Sequence, residues 1–412
     1  MNWRIKDLDN KKGDPMQIAV IGGCGRLGFR LSLIASNKGH NVQIIDLDEE
    51  KINEIKNGSL PFVEKEAEVY LDQALKNKSL SFGMENELVT NKEIIIITLG
   101  TPVDSNLNPS LEPVAGIIFD IAEYLKKNQL IIFRNIMSPG ILKRVKTLLE
   151  DKTGFKVGRD IFLAFAPETG IKTIHDLTTS PQPIGAFDEK SFNMARDFFK
   201  TITKGKITFL TPEEALLAKL MENAYEYIQS ACANEFYLIA ESFNANLDRI
   251  LNATNNKIPN PNPNAAGPGM HKEGWFLVEN IPFAELILAA FKINESMPGW
   301  ILRELEKHKI KKVAILGMTA RVNSDDARGS LSYKLRKLLY YKDYMVGCFD
   351  PYLPEYSDSS VLQHADAVIL MTGHDGFKNL EEIKKLVNNP ACIYVDIMGF
   401  WQEAQKVTSS IH

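Results

Sequence analysis

The segment that decides the fold of this chain reads Met16-Gln-Ile-Ala-Val-Ile-Gly-Gly-Cys-Gly-Arg-Leu-Gly28. Its apolar, β-branched part, Ile18 to Ile21, predicts a buried parallel strand. Three glycines follow at the G-x-G-x-x-G spacing. In that pattern Gly23 permits a tight turn, Gly25 lets the backbone approach a pyrophosphate, and Gly28 lets the next helix pack on the sheet. Because the amides at the start of that helix face the phosphates, the segment predicts a dinucleotide-binding turn.

A carboxylate follows the second predicted strand. Asn41 to Ile45 forms this strand and leads into Asp46, which lies 18 residues beyond Gly28. An acid near this spacing accepts hydrogen bonds from the adenosine ribose and repels the 2′-phosphate of NADP. The alternative is a glycine-rich turn in an ordinary α/β domain. The strand, the glycines, the helix and the acid occur in the expected order and spacing, which favours NAD binding. Arg26 and Leu27 of the turn are counted among the cofactor-binding residues.

The bulk composition narrows the function classes. With 412 residues and 44% hydrophobic content, the chain is long enough for two or three domains with full cores. Its formal net charge of −4 offers no basic excess to neutralise phosphates, which argues against a nucleic-acid partner. No apolar run is long enough to cross a bilayer, and the first 15 residues lack the apolar stretch of a signal peptide. We therefore expect a cytoplasmic protein with neither nucleic-acid nor membrane partners.

The cysteines give no sign of a metal site. Cys24, Cys232, Cys348 and Cys392 lie far apart and form no C-x-x-C pair. This pattern suits a reducing compartment and provides neither a disulfide framework nor a zinc site. We expect no bound metal, and each cysteine is most simply a small core or turn residue.

The first half of the chain has the pattern of a doubly wound sheet. Residues 16 to about 205 alternate predicted strands and helices. Further strands are predicted at Glu93–Leu99, Leu130–Arg134 and Ile161–Ala166, and each ends in a loop rich in Gly, Pro, Ser or Thr. Ligands bind at the carboxyl ends of strands in such sheets, so these loops should line a cofactor and substrate crevice.

A capping box marks the start of a long helix. In Thr211-Pro-Glu-Glu214, threonine occupies the N-cap, proline the first helical position, and glutamate the third position after the cap. Nothing breaks the helix before about Asn244, and apolar residues occur almost all around it from Ala224 to Ala240. This pattern predicts a helix buried between domains. Shorter helices are predicted around Ile281–Asn294 and Pro298–His308.

A second α/β unit begins at Lys312. Its predicted strands are Val313–Leu316, Met345–Phe349, Ala367–Met371 and Cys392–Asp396, with helices between them. The predicted fold class is therefore α/β, with two Rossmann-like domains built on doubly wound parallel sheets. A long central helix and a helical middle domain join them.

Two polar residues on the long helix suit alcohol oxidation. Lys219 and Asn223 are four residues apart and share a helix face. Oxidation of an alcohol by NAD needs a base for the hydroxyl proton and a donor that holds the substrate oxygen. A lysine whose amine is depressed by burial, or that acts through water, can be the base, and an asparagine amide can be the donor. The alternative is a solvated lysine beside a polar neighbour.

Further motifs follow one another along nearly the whole chain. They are Gly100-Thr-Pro102, Ser138-Pro-Gly140, Pro167-Glu168, Glu214 through Lys219, Asn223-Ala-Tyr225, Asn234-Glu235, Gly267-Pro-Gly269 with Trp275-Phe-Leu277, Gly317 through Ser330, and Phe349-Asp-Pro351. Together with the glycine fingerprint and Asp46, and in this order, they resemble the UDP-glucose/GDP-mannose dehydrogenase family of nucleotide-sugar dehydrogenases.

The resemblance implies an NAD-dependent oxidoreductase that acts on a CH–OH group of a nucleotide sugar, in polysaccharide biosynthesis. It implies an N-terminal extension (1–15), an NAD-binding Rossmann domain (16–205), a central helix with a helical dimerisation domain (206–300), and a nucleotide-sugar (UDP)-binding domain (301–412). The expected cofactor is NAD, the expected ligand is a nucleotide-sugar substrate, and the expected assembly is a homodimer.

The resemblance also implies residue roles in the chemistry. Lys219 and Asn223 match the family's proton-handling lysine and asparagine, and Glu168 matches a glutamate near the reacting sugar carbon. Thr101 matches a residue that lines the nicotinamide side, and Pro102, next to it, is counted with the cofactor-binding residues.

Two arginines are implied for the substrate diphosphate. Arg321 stands where the family usually has a lysine, and Arg328 matches an arginine of the D-D-x-R segment. Guanidinium groups can bind a diphosphate in bidentate fashion. The alternative is a loop of surface ion pairs with Asp325 and Asp326.

The chain departs from the family where the chemistry is hardest. Family members carry a nucleophilic cysteine in a G-G-x-C segment followed by proline and aspartate, but residues 266–277 contain no cysteine. Gly269 or a deletion stands at the nucleophile's position, and Glu273 takes the place of the aspartate as a candidate catalytic residue. Ile136 replaces a threonine near the reaction centre, and Thr169 replaces the arginine after Pro-Glu.

The missing thiol leaves three hypotheses. The family's thiol traps the intermediate aldehyde as a thiohemiacetal that can proceed to a thioester, and this chain lacks that route. The first hypothesis is a reversible two-electron dehydrogenase that uses Lys219 and Asn223. The second is a four-electron dehydrogenase that oxidises the hydrated aldehyde directly, assisted by Glu273 or His271. The third is a catalytically silent paralogue that binds NAD and a sugar nucleotide as a binding or scaffold protein.

Overall fold

The computed structural model describes residues 14–100, 110–137, 141–254, 257–265, 267, 274, 276–277 and 284–401. The chain divides into two compact units, Met1–Leu220 and Met221–His412, and each has its own sheet. Among the predicted site residues, Thr101, Pro102 and Glu273 lie outside the described residues, as does His271. The four-part domain division remains a prediction.

The first unit is built on an eight-stranded sheet. Its strands are β1 (Gln17–Ile21), β2 (Asn41–Ile45), β3 (Leu80–Gly83), β4 (Ile94–Ile97), β5 (Leu130–Phe133), β6 (Phe162–Phe165), β7 (Gln182–Ala186) and β8 (Ile207–Leu210). They lie in the order β3-β2-β1-β4-β5-β6-β7-β8. The strands predicted from the sequence in this unit are confirmed to within two residues at each end.

The last two strands of this sheet depart from the predicted parallel arrangement. β7 pairs antiparallel with β6, and β8 is parallel to β7, so both run against the other six strands. Two neighbouring parallel strands need a crossover connection, because the chain must return to the edge of the sheet where the first strand began. Between β6 and β7 the chain forms only a short 3-10 turn, Ile174–Thr178, so it starts back from the edge where β6 ends.

Helices cover both faces of the first sheet. They are α1 (Arg26–Asn37), α2 (Glu49–Lys56), α3 (Ala67–Lys76), α4 (Glu112–Ile121), α5 (Leu142–Thr153) and α6 (Glu189–Ile202). Ile18 and Val20 pack in one core cluster, with residues of α1 and α6, whereas Ala19 and Ile21 pack in the other, with residues of α4 and α5. Since both faces are buried, the strands are mostly apolar, as in the run of four isoleucines that forms β4.

The long helix α7 runs from Pro212 to Ser242, so its residues fall in both units. Its capping box is confirmed: the Thr211 N–H donates to Glu214 Oε2 at 2.8 Å, and the Glu214 N–H donates to Thr211 Oγ1 at 3.2 Å. The prediction that the helix is buried is wrong for one side of it in this chain. Tyr225 and Ile239 are both exposed, and helical periodicity places them on the same side of the helix.

The helical segment after α7 contains α8 (Leu247–Asn252) and α9 (Glu285–Leu305). Two separate helices were predicted in place of α9, since proline usually ends a helix. Instead, Pro298 lies inside α9 and is buried. Its neighbours Met297 and Ile301 are fully buried in the core of the second unit, and this packing offsets the hydrogen bond that the proline removes.

The second unit carries a four-stranded parallel sheet. Its strands β9 (Lys312–Leu316), β10 (Met345–Phe349), β11 (Ala367–Leu370) and β12 (Ile393–Val395) lie in the order β10-β9-β11-β12. Helices α10 (Ser332–Tyr341) and α11 (Leu380–Val387) complete it, and buried clusters lie on both faces of the sheet. The predicted second doubly wound α/β unit is thereby confirmed.

Each sheet has one point where the strand order reverses. In the first sheet it lies between β1 and β4, and in the second between β9 and β11. At such a point the loops that follow the two strands diverge to opposite faces and leave a crevice at the carboxyl edge, where open α/β sheets bind ligands. The fold therefore defines one candidate site in each unit.

Candidate functional site

The glycine turn after β1 is fixed by contacts that leave no room for side chains. Gly22 has a φ of +76°, and its N–H donates to Ile45 O at 2.9 Å. A Cβ on Gly23 would lie 2.8 Å from Ile44 Cγ2. The spacing rule assigned the tight turn to Gly23, but the left-handed residue is Gly22, and Gly23 is required because the side chain of β2 lies against it. The adjacent pair Gly22-Gly23 was the available signal in the sequence, but the G-x-G-x-x-G spacing rule counts only Gly23.

Helix α1 approaches the end of β4 through Gly28. A Cβ on Gly28 would lie 2.6 Å from both Gly22 O and Thr98 Oγ1. The Thr98 hydroxyl donates to Ile21 O at 2.8 Å, so it ties the ends of β1 and β4 together. The sequence predicted the close packing at Gly28 but not the part played by Thr98. The resulting cradle is a backbone feature that only glycine at this position permits.

The N-terminus of α1 is available to an anion. Its N-cap, Gly25, is exposed and provides no side-chain cap, so the first amides of the helix have no side-chain acceptor at the cap. Arg26 holds its guanidinium 4.5 Å from the Phe62 ring centroid, and Leu27 is half-buried. These residues fit a dinucleotide pyrophosphate, with the backbone as its main binding group.

Asp46 is held in a defined orientation at the end of β2. Its Oδ2 accepts from the Cys24 N–H at 2.9 Å, and its Oδ1 accepts from the Asp48 N–H at 3.1 Å. The carboxylate is therefore tied to the glycine turn itself. This position is compatible with acceptance of ribose hydroxyls, and the role of Asp46 in cofactor choice stays a prediction.

A buried ion pair fixes Glu168 at the ends of β5 and β6. Arg134 Nη2 donates to Glu168 Oε1 at 3.1 Å, and Nη1 donates to Ala166 O and to Gln182 Oε1, both at 3.1 Å. Arg134 is 1% exposed and Glu168 is 9% exposed. Since a buried charge must be paired, the arginine determines where the carboxylate lies. Arg134 was predicted only as a strand residue, although a charge directly after an apolar strand was the available signal.

Asn135 is a second polar group that the sequence did not single out. It is 2% exposed, and among the described residues neither Oδ1 nor Nδ2 has a hydrogen-bond partner. It directly precedes Ile136, where the family pattern has a threonine. A buried amide without partners is costly in a folded protein and is typical of a functional position that a ligand completes.

In the second unit, Asn264 closes the crevice between β9 and β11. Its Nδ2 lies within hydrogen-bond distance of Thr319 O, at 2.9 Å, and of Thr372 Oγ1, at 3.0 Å. Its Oδ1 accepts from the Leu331 N–H at 2.6 Å. The segment that contains Asn264 is thus anchored to the loops of the second sheet.

The loop after β9 carries both predicted substrate-binding arginines. Arg328 forms a bidentate pair with Asp326: Nε lies 2.8 Å from Oδ1, and Nη2 lies 2.7 Å from Oδ2. The ion-pair alternative for Arg328 is therefore realised with Asp326. Hydrogen bonding to this carboxylate raises the pKa of Arg328. Arg321 is exposed on the same loop.

Lys219 and Asn223 both lie on α7 and both are half-buried. They are one helical turn apart, as predicted from their spacing. Their catalytic roles remain predictions.

Three of the four cysteines are unsuited to nucleophilic chemistry. Burial raises the pKa of Cys24 to about 12, of Cys348 to about 11 and of Cys392 to about 12. Since the thiolate is the reactive form, these thiols are inert at neutral pH. Cys232, half-buried on α7, is the fourth.

Among the described residues, no group of three or more His, Cys, Asp or Glu side chains is placed to hold a metal ion. Within the same residues, none of the helices combines the length and apolar character needed to span a membrane.

The fold and its two crevices define a class: an α/β chain with a dinucleotide-binding first unit and a second Rossmann-like unit. Residues 16–203 match the UDP-glucose/GDP-mannose dehydrogenase family, NAD binding domain, and residues 314–403 match the UDP binding domain of the same family. The chain belongs to the UDP-glucose/GDP-mannose dehydrogenase family. It is a nucleotide-sugar dehydrogenase by family, with NAD as its cofactor.

Similar proteins match more than nine-tenths of the chain. A UDP-N-acetyl-D-mannosamine dehydrogenase of Pyrococcus horikoshii is 30% identical, over 92% of this chain and 94% of that protein. A protein of the same name from Methanocaldococcus jannaschii is also 30% identical, over 92% and 91%. The solved structure of UDP-D-ManNAc dehydrogenase from P. horikoshii superposes with a TM-score of 0.84 at 28% identity, over 93% of this chain and 99% of that one.

Replacing Asp46 with alanine should weaken NAD binding about tenfold and narrow the preference for NAD over NADP. The change removes a charged acceptor for the ribose hydroxyls and a repulsion toward the 2′-phosphate. Titration of both cofactors by protein fluorescence measures the two dissociation constants. Asp48→Ala is the matched control, because Asp48 caps α2 through the Lys51 N–H. An unchanged NAD/NADP preference in Asp46→Ala would exclude this role.

Replacing Arg134 with methionine should lower the free energy of unfolding by about 3–5 kcal/mol, because it leaves a buried carboxylate without its partner. Urea denaturation measures the change. Arg159→Met is the control, since the Arg159 side chain is exposed and its partner Asp160 keeps a second ion pair with Lys127, and we expect it to cost less than about 1 kcal/mol. Equal losses in the two variants would mean that the buried pair does not fix Glu168.

Proposed function

We propose that this protein removes a hydride and a proton from one CH–OH group of a UDP-linked sugar. Support comes from the pairing of two crevices in one chain: the glycine cradle with Asp46 in the first unit, and the β9 loop with its arginines in the second. A UDP-N-acetylhexosamine is the favoured substrate, because the similar proteins of P. horikoshii and M. jannaschii carry the name UDP-N-acetyl-D-mannosamine dehydrogenase. UDP-glucose and GDP-mannose are the alternatives.

Each role in the proposed reaction is assigned to a particular residue. When bound, NAD accepts the hydride that leaves the carbinol carbon. Lys219 takes the hydroxyl proton, and the Asn223 amide holds the substrate oxygen as the C=O bond forms. Glu168, fixed by Arg134, accepts a hydrogen bond from the sugar. Thr101 and Pro102 line the cofactor, and Glu273 stays a candidate beside the reacting carbon.

We propose that oxidation stops after one hydride transfer. Residues 233–347 contain no cysteine, and burial raises the pKa of three of the four cysteines to about 11 or 12. Without a thiolate, an aldehyde or ketone product cannot be converted to a thioester. Electrons then balance at one NADH for each substrate molecule, and the reaction is reversible.

The proposed assembly is a homodimer that forms along α7. Met221, Tyr225, Phe236, Ile239 and Phe243 are all exposed, by 39% to 79%. With Ile228 and Cys232 between them, they recur every three or four residues and therefore form one apolar stripe about 33 Å long. An exposed stripe of this size marks a protein interface, and a second copy of the same helix presents a matching surface.

The domain division and location are part of the same proposal. We assign residues 16–205 to cofactor binding, 206–300 to the central helix and dimerisation, and 301–412 to the sugar nucleotide, with 1–15 as an extension. All four cysteines are free thiols, which suits a reducing cytoplasm.

Counting NADH per sugar consumed tests the function. Incubation with excess NAD and a panel of UDP-N-acetylmannosamine, UDP-N-acetylglucosamine, UDP-glucose and GDP-mannose should give one NADH per substrate oxidised. Absorbance follows NADH, and mass spectrometry identifies the product. Two NADH per substrate would instead establish the four-electron reaction through a hydrate, and none across the panel would establish a silent binding protein.

Two variants serve as controls for that experiment. Lys219→Ala should lower kcat by about 10²–10⁴-fold and change NAD affinity less than twofold, because it removes only the base. Cys232→Ser should retain turnover, since no thiol takes part. A Lys219→Ala protein with normal kcat would reassign the base.

Introducing a charge into the apolar stripe should convert the dimer to a monomer. Ile239→Glu places a carboxylate within the proposed interface, where it cannot be hydrated. Sedimentation velocity should give twice the chain mass for the wild type and the single chain mass for the variant. Tyr341→Glu is the control, because Tyr341 is 84% exposed at the end of α10, away from the stripe. A dimeric Ile239→Glu protein would exclude α7 as the interface.

A further inference from the structure

The loop after β9 reaches its position through a buried carboxylate. Asp350, the first residue after β10, is fully buried. Its Oδ2 accepts from the Met318 N–H at 2.7 Å and from the Thr319 N–H at 3.1 Å, and its Oδ1 accepts from the Tyr352 N–H at 2.9 Å. Asp350 therefore fixes the beginning of the loop, directly after the strand.

A histidine at the end of β11 holds the middle of the same loop. His374 is fully buried, and its two ring nitrogens have different partners. Nδ1 lies 2.9 Å from the Asn323 N, and Nε2 lies 3.1 Å from Asp350 Oδ2. A backbone N–H can only donate, so Nδ1 is the acceptor and the ring proton is on Nε2. His374 thus transfers the fixed position of Asp350 to Asn323, in the middle of the loop.

Asn323 is the residue whose position this contact determines. It has a φ of +53°, in the left-handed region that asparagine tolerates better than most residues. Its side-chain Oδ1 accepts from the Asp375 N–H at 2.9 Å and from the Tyr352 hydroxyl at 3.1 Å. These bonds fix its side chain, whereas the His374 bond is the one that holds its backbone N–H.

The geometry points to His374 as a positioning residue for the sugar-nucleotide site: its Nδ1 holds the Asn323 backbone and thereby sets the position of the β9 loop that presents Arg321. The assignment rests on the proposed function insofar as this loop binds the diphosphate. His374 itself, being buried, does not touch the ligand. It acts through the backbone, two residues from Arg321.

Two near-isosteric substitutions separate the two bonds of His374. Asparagine places its side-chain oxygen where Nδ1 was, so His374→Asn keeps the acceptor for the Asn323 N–H and loses the donor to Asp350. Glutamine reaches the place of Nε2, so His374→Gln keeps the donor and loses the acceptor. Each variant removes one hydrogen bond of His374, and Asp350 Oδ2 keeps its Met318 and Thr319 donors in His374→Asn. The thermal unfolding midpoints of both variants should fall.

Binding of UDP-glucose by the full chain is the readout, measured by calorimetry. This probe carries a diphosphate diester and requires no turnover. We expect the affinity of His374→Asn for UDP-glucose to lie within about threefold of the wild-type affinity. His374→Gln should bind UDP-glucose at least about tenfold more weakly, because only the glutamine variant releases the backbone N–H of Asn323. A merely structural role would weaken both variants alike, in proportion to their stability. His364→Asn is the control, because His364 is exposed and its φ of +56° suits asparagine.

Hydrogen–deuterium exchange without ligand provides the second measurement. Peptides that contain Asn323 should exchange faster in His374→Gln than in His374→Asn or the wild type. Equal exchange in the two variants, or equal UDP-glucose affinity, would overturn the assignment. Faster exchange in His374→Gln in a protein that binds no UDP-sugar at all would instead keep His374 as the residue that positions the loop and exclude the proposed substrate class.

Discussion

Burial of both faces of each parallel sheet is the constraint on which the rest of this structure depends. Helices cover the two faces, so the strands are mostly apolar, as in the four isoleucines of β4. Many of the buried polar groups lie just after the strand ends. Thr98, Arg134, Asp350 and His374 all follow directly, or within a few residues, the last residue of a strand. Ligand chemistry is concentrated at the carboxyl edge because no other part of the sheets can hold it.

The buried polar groups at these edges are placed by pairing. Arg134 holds Glu168 in the first unit, and Asp350 holds His374 in the second. Desolvation makes such buried pairs weak contributors to net stability, but breaking one is costly, so each defines a single geometry. Asp350 illustrates the balance: its burial acts to raise the pKa of the carboxyl, yet His374 and the donated backbone hydrogen bonds keep that pKa below its usual range. A site for hydride transfer needs side chains that are held in fixed positions, as such pairs hold them.

The cysteines distinguish the proposed chemistry of this chain from that of family members with a nucleophilic thiol. Each of the three buried thiols is held protonated at neutral pH, and the one on α7 lies within an apolar stripe. The binding groups for a dinucleotide and the candidates for proton transfer are nevertheless present. Loss of the covalent route while the rest is kept is the basis of the proposed single oxidation, where a thiol enzyme performs two.

The sequence by itself determined the elements whose signals are local. The strand, turn and acid of the first unit, the capping box of α7 and the strands of the second sheet follow from periodicity and from glycine or cap chemistry. Only the tertiary structure decided the reversed direction of β7 and β8, the continuous helix through Pro298, the exposed side of α7 and the partners of Arg134 and His374. Those features depend on residues far apart in the chain, such as Asn323 and His374, whose contact exists only once the sheet has brought two loops to one edge.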